Sequence, residues 1–373
     1  MEKKNLIIFG TRPEAIKMAP LVKEFLKNNA FETRVCVTAQ HREMLDQVLS
    51  FFEIVPNYDL DLMKPNQNLY SLTGDIINGL KPILEDFKPD YVYVHGDTTT
   101  TMAASIAAFY SGAKVCHVEA GLRTFNKRAP FPEEINRSIA GRVCDYHFAP
   151  TITSKNNLIR ENIAEKDVLI TGNTVIDALQ HSVKKVEDLE DKEITFLKET
   201  INLSKRIILV TGHRRENHGQ GFINICSALK QIAVENPDAE IVYPVHLNPN
   251  VQKPVYELLD KVENVRLIAP LSYPAFVWLM NKSYIIITDS GGVQEEAPSL
   301  GKPVLVMRDT TERPEAVEAG TVILVGTDTQ KIVEEATALL SNKEKYNQMS
   351  ALHNPYGDGN ACKRIVEYIE NLG

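Results

Sequence analysis

The sequence predicts an α/β protein of two doubly wound, Rossmann-like domains with parallel sheets, facing a central cleft. Three observations predict it. Short apolar runs alternate with helical patterns, as strands buried under helices on both faces require. That rhythm runs through the chain twice. Polar and glycine-bearing turns fall where strands end, the place where such sheets bind ligands. A length of 373 residues suits about two domains of ordinary size.

In the first half the expected strands are 6–9, 33–37, 91–94, 114–118, 146–148 and 168–170, with helices at 14–28 and 99–110. The charged stretch 184–198 reads as solvated helix or linker near the domain junction. In the second half strands are expected at 206–210, 240–243, 264–268, 284–288, 303–306 and 322–324. Helices follow at 221–235, 251–262, 273–281, 292–300 and 330–341, and a last one at 360–372.

Composition excludes several classes. The chain is 43% hydrophobic and 24% charged, with a net charge of −8 and no long basic run, which argues against nucleic acid or a membrane as partner. Five scattered cysteines without a C-x-x-C pair fit a reducing cytoplasm and no zinc site. No run approaches the roughly 18–20 apolar residues of a membrane span. His41, His246 and the pair Asp59-x-Asp61 lack metal-ligand spacing, so no metal is expected, and Asp59-x-Asp61 reads as a polar loop.

The first strand runs into Gly10-Thr11-Arg12-Pro13-Glu14-Ala15-Ile16-Lys17. Pro13 suits a first helical turn, and free N–H groups with Arg12 make an anion site there. One glycine is not the G-x-G-x-x-G turn of a nicotinamide cofactor. Asp97 follows one strand; alone it reads equally as a helix cap. Glu119 follows the next strand, in the cleft or paired with an arginine such as Arg123. Glu133 and Glu134 open a helix, where charge at its N-terminus explains them. His213 sits beside Arg214 and Arg215, an expensive cluster unless an anion binds. Ser290-Gly291-Gly292 opens another helix and reads either as a plain turn or as one that lets backbone approach a diphosphate, and Glu296 either as an acceptor for ribose hydroxyls or as an exposed helix carboxylate. The residues thus predict a nucleotide-diphosphate site in the second domain, facing carboxylates of the first.

These strings resemble the non-hydrolysing UDP-N-acetylglucosamine 2-epimerases, from the first strand to Asn354-Pro355-Tyr356-Gly357-Asp358-Gly359. The resemblance implies the two-domain GT-B fold: domains 1–170 and 171–357, with the C-terminal helix 358–373 packing back on the first. It implies interconversion of UDP-GlcNAc and UDP-ManNAc for cell-surface polysaccharide synthesis, by anti elimination to 2-acetamidoglucal and UDP and re-addition, with neither cofactor nor metal. Catalysis falls on Asp97, Glu119, Glu133 and His213; substrate contacts fall on Arg12, Lys17, Asp97, Glu119, His213, Phe276, Ser290, Gly291, Gly292, Glu296 and Arg313. Leu271 stands where many members have glutamine. A second UDP-GlcNAc as activator would meet Gln40, Gln67, Arg214 and His246, although Glu43 and Asn66 depart from the Gln and Arg of that pattern. A cytoplasmic homodimer is implied. An ordinary carboxylate is a weak base, so one of the acids is expected to have a raised pKa. The alternatives are a hydrolysing epimerase, a GT-B glycosyltransferase and a non-catalytic binding regulator.

Overall fold

The computed structural model describes residues 2–39, 42–64 and 67–372. The chain divides into two compact units, one of residues 1–178 with 356–373 and one of 179–355.

The first unit holds β1 (Lys3–Phe9), β2 (Phe31–Val37), β3 (Tyr58–Asp59), β4 (Tyr91–His95), β5 (Lys114–Val118), β6 (Tyr146–Ala149) and β7 (Val168–Ile170). They pair in parallel in the order β3-β2-β1-β4-β5-β6-β7. The strand order therefore reverses between β1 and β4, which opens a crevice at their C-terminal ends. Leu6, Ile8, Val92, Val94 and Val115 are fully buried under the helices Leu69–Phe87 and Thr99–Ser111. This explains why the strands read as apolar runs rather than as alternating ones.

The second unit repeats the plan with β8 (Arg206–Thr211), β9 (Ala239–Pro244), β10 (Val265–Ile268), β11 (Ile285–Thr288), β12 (Val304–Val306) and β13 (Val322–Leu324). Its parallel order is β10-β9-β8-β11-β12-β13, so the reversal lies between β8 and β11. Ile208, Val210, Tyr243, Ile287 and Leu305 form its core with the helix Gln220–Glu235.

The sequence reading missed β3, a two-residue edge strand with no apolar run of its own. Asp59 of the proposed polar loop belongs to it, and Arg42 Nη1 reaches both Asp59 (2.5 Å) and Asp61 (3.5 Å). The charged stretch 184–198 is helical at both ends, within Thr174–Glu187 and Lys192–Thr200, and Asp191 caps the second helix.

The terminal helix Ala361–Glu370 belongs to the first unit. Asp177 accepts from the N–H groups of Ala361 (3.2 Å) and Cys362 (2.9 Å), satisfying two orphan donors of its first turn. Lys3 Nζ binds the carbonyls of Ile369 and Glu370 at the other end. Tyr368 packs edge-on against Tyr146 and Phe148. No helix among the described residues is long and apolar enough to cross a membrane.

Candidate active site

The crevice of the first unit is built from the turns that follow β1, β4 and β5. At Gly10 there is no room for a side chain: a Cβ would lie 2.0 Å from Thr38 Oγ1 and 2.6 Å from Thr100 Oγ1. Thr11 then caps the helix Arg12–Leu26 in a capping box with Glu14. Glu14 Oε2 accepts from Gly10 N–H (3.0 Å) and Thr11 N–H (2.8 Å), while Oε1 accepts from Thr98 Oγ1 (2.6 Å). One buried carboxylate thereby ties the Arg12 turn to the turn carrying Asp97. Glu14 was absent from the candidate residues, although the pattern Thr11-x-x-Glu14 is a readable cap signal.

Glu119 directly follows β5 and holds a left-handed backbone, φ 60°. Its Oε2 lies 2.5 Å from Lys17 Nζ and 3.1 Å from His95 Nε2, in a nearly closed setting. The expected partner, Arg123, instead makes a two-pronged pair with Glu161 (2.7 and 2.8 Å). The chain turns at Gly121, φ 98°, and Arg123 beyond that turn meets the end of the helix Ile152–Arg160. Burial works to raise the pKa of Glu119. Lys17 and His95 outweigh it and hold the carboxyl well below the usual range. At this acid the shift runs opposite to the expected rise.

Asp97 does not cap the next helix; Thr98 does, accepting from Thr101 N–H at 3.1 Å. The Asp97 carboxylate instead pairs with Arg137, and its carbonyl accepts from Asn136 Nδ2 at 3.0 Å. Both partners lie on the helix Glu133–Val143. Arg137 also binds Glu134 (3.2 Å), which accepts from the N–H groups of Thr124 and Phe125. Glu134 is thus committed to holding a loop. Glu133, its neighbour, has a buried Oε2 with no hydrogen-bond partner. Behind Asp97, His117 Nε2 lies 2.7 Å from the Gly96 carbonyl. Burial lowers the His117 pKa to about 3, so the ring is neutral and donates there.

The second unit repeats this logic at its own reversal point. Asp289, fully buried after β11, accepts at Oδ2 from the N–H groups of His213 (2.9 Å) and Arg214 (2.8 Å) after β8. Asp289 was not among the candidates; its signal is a carboxylate directly after an apolar strand. His213 Nδ1 lies 3.5 Å from Asp289 Oδ1, and its ring stacks on His246 at 5.4 Å. Partial burial, His246 and Arg214 lower the His213 pKa against the pull of Asp289. Ser290 precedes the short helix Gly291–Glu296. A Cβ at Gly291 would lie 3.0 Å from Arg313 Cζ, so the bare backbone lets that guanidinium approach. Arg313 is held by Glu295 (2.8 Å) and Glu312 (3.0 Å). Phe276 is half-buried in the first turn of the helix Tyr273–Lys282.

Of the activator residues, Arg214 and His246 join the His213 cluster. Gln67 lies in the first unit and donates to the Leu62 carbonyl (2.7 Å). Gln40, like His41 and Asn66, lies outside the described residues. No three His, Cys, Asp or Glu side chains among the described residues are grouped to hold a metal ion.

Residues 23–370 match the family described as UDP-N-acetylglucosamine 2-epimerase. The chain belongs to this UDP-N-acetylglucosamine 2-epimerase family. It is 61% identical over 370 residues to the UDP-N-acetylglucosamine 2-epimerase of Escherichia coli O157:H7, covering 99% of this chain and 98% of that one. The solved structure of a Neisseria meningitidis UDP-GlcNAc 2-epimerase bound to UDP-GlcNAc matches with a TM-score of 0.88 at 56% identity, covering 98% and 99%. A Methanocaldococcus jannaschii UDP-GlcNAc 2-epimerase in complex with UDP-GlcNAc and UDP matches at 0.79 and 34%, with the same coverage. The two parallel sheets are thus the epimerase fold.

Proposed function

We propose that this chain is a non-hydrolysing UDP-GlcNAc 2-epimerase. It interconverts UDP-GlcNAc and UDP-ManNAc and supplies the manno sugar for cell-surface polysaccharide. The observation that carries the reading is the pair of carboxylates at the ends of β4 and β5, Asp97 bound by Arg137 and Glu119 held ionised by Lys17 and His95, with Glu133 opening the helix that supplies Arg137. Arginine, histidine and a helix opening stand at the turns that would receive the diphosphate.

The chemistry follows from the substrate. The C2 proton is not beside a carbonyl, so it becomes acidic only as C1 loses its oxygen. A carboxylate takes the C2 proton; the C2–H electron pair forms the C1=C2 bond; the C1–O bond breaks, and UDP leaves with that pair. In the return step UDP oxygen attacks C1 of the 2-acetamidoglucal while C2 accepts a proton on its opposite face. Asp97, Glu119 and Glu133 serve the proton steps. Arg12, His213, Ser290, Gly291, Gly292 and Arg313 stabilise the charge growing on the leaving diphosphate, Phe276 meets the uracil, Glu296 the ribose, and Lys17 holds Glu119. A second UDP-GlcNAc near Gln67, Arg214 and His246 would act as activator, giving sigmoidal initial rates at low substrate.

The test is incubation with UDP-GlcNAc alone in D2O with chelator, followed by proton NMR. UDP-ManNAc with deuterium at C2 of both sugars is expected. Free ManNAc with UDP would mean hydrolysis, and an unchanged spectrum would return the reading to a transferase or a binding protein.

A further inference from the structure

Resting on the epimerase reading, we infer that His95 is a positioning residue for Glu119, holding one carboxylate oxygen so that the other alone is offered to the substrate. The geometry is asymmetric. Among the described residues, both contacts of Glu119 fall on Oε2, from Lys17 at 2.5 Å and His95 at 3.1 Å. Oε1 takes neither, and the side chain keeps 12% exposure. The backbone of Glu119 is left-handed, a conformation costly to a residue with a side chain, so contacts outside its own strand must hold it.

His95 is suited to this work. It is the last residue of β4, while Glu119 follows β5, and the two strands are paired through His95 and Val118. The Thr101 hydroxyl donates to the His95 carbonyl, fixing the strand end from below. The ring is itself buried, at 5% side-chain exposure, so its Nε2 has one direction in which to act. The charged and titratable groups facing it are Glu119, Lys17 and the neutral His117.

Two donors on one oxygen do separate jobs. Lys17 brings charge on a long flexible stem from the helix Arg12–Leu26. His95 brings a rigid donor from the neighbouring strand, which fixes the carboxylate's angle, and adds to the charge that lowers its pKa. Glu119 therefore rests ionised and cannot give up a proton from its ground state. In the epimerisation it accepts the proton or stabilises positive charge at C1, and any proton donated first to C2 comes from another group.

The experiment compares His95→Leu, His95→Asn and His95→Gln with wild type, reading kcat, KM and the pH dependence of kcat/KM. Leu removes the donor, Asn is too short to reach Oε2, and Gln keeps a donor near the Nε2 position. Loss of one hydrogen bond to a charged group predicts a kcat lower by roughly 10- to 100-fold in Leu and Asn. KM for UDP-GlcNAc should move less than about twofold, because the proposed uracil, ribose and diphosphate contacts of Phe276, Glu296, Arg12, His213 and Arg313 are untouched. Loss of the donor raises the pKa of Glu119, so the acid limb of the profile must move to higher pH. Gln should recover most of kcat and bring the limb only part of the way back, because it restores the hydrogen bond but not the charge that also lowers the Glu119 pKa.

Unshifted acid limbs in Leu and Asn would overturn the inference, as would a KM rise at constant kcat or a Gln variant no better than Leu. If Leu does not fold, Asn and Gln carry the same comparison. Wild type, measured alongside in D2O, separates the two readings. If it fails to exchange C2, the epimerase assignment falls. If it exchanges normally while the variants keep its profile, only the role of His95 falls.

Discussion

Three carboxylates of the first unit have different settings, and their neighbours decide the difference. Glu119 is pinned by Lys17 and His95, Asp97 is held by Arg137, and Glu133 keeps an unpartnered buried oxygen. Glu134, next in sequence to Glu133, is consumed by two backbone N–H groups and Arg137. Residue type alone does not separate this pair. Asp97→Asn and Glu133→Gln are therefore expected to lower kcat by about 10²- to 10⁴-fold, the scale of a lost acid–base group. UDP affinity by titration calorimetry should stay near wild type. Glu134→Gln should instead lower the melting temperature, because a neutral amide holds the Thr124–Phe125 loop more weakly. Equal losses of activity in Glu133→Gln and Glu134→Gln, with stability unchanged in both, would refute the division.

The pair of adjacent strands β5 and β6 makes the first unit sensitive to acid. They bury two imidazoles, His117 and His147, paired in register with their rings 6.3 Å apart. Burial is the main cause lowering both, to about 3 and about 4, from an ordinary value near 6.5. A histidine lowered on folding contributes stability that is complete above the unfolded pKa. As pH falls below about 6.5 the unfolded chain takes up protons that the folded chain refuses, and stability is lost until the folded pKa is reached. Each group contributes about 1.4 kcal/mol per pH unit within that window. Amide hydrogen exchange in β5 and β6 should lose protection steadily from pH 6 to pH 4.5. His147→Gln should make that loss shallower by about one proton. A slope identical to wild type would show that His147 does not stay neutral in the folded strand.

At the scale of the whole molecule the chain leaves the first unit and returns to it, since residues 356–373 belong with 1–178. The returning helix buries Ile365 and Ile369 completely and closes its first turn on Asp177. Full burial of such side chains is worth about 1.5–3 kcal/mol each. Truncation after residue 356 is expected to destabilise the first unit while leaving the second folded. Limited proteolysis should then cut within 1–178 and spare 206–341. Uniform digestion, or a first unit as resistant as in the full chain, would contradict this. The second unit needs no such return, because its core closes within 179–355.

What the sequence by itself determined is the alternation of strands and helices, the doubling of that plan and the residue types at strand ends. Buried parallel strands must be apolar along their whole length, and this leaves a local mark that reads directly. Arg12, Asp97, Glu119, His213 and Ser290 were visible because polar residues within three positions of the end of such a run stand out. Only the tertiary structure decided who partners whom. Lys17 meets Glu119 across 102 residues and Arg137 meets Asp97 across 40. Strand order, set by packing of the helices over each sheet, makes those neighbours. Arg123 was the near choice in sequence for Glu119, yet a left-handed glycine turn sends it to Glu161. Proton chemistry depends on partners within a few ångströms. The depressed pKa of Glu119 therefore belongs to the fold, although the carboxylate itself was written in the sequence.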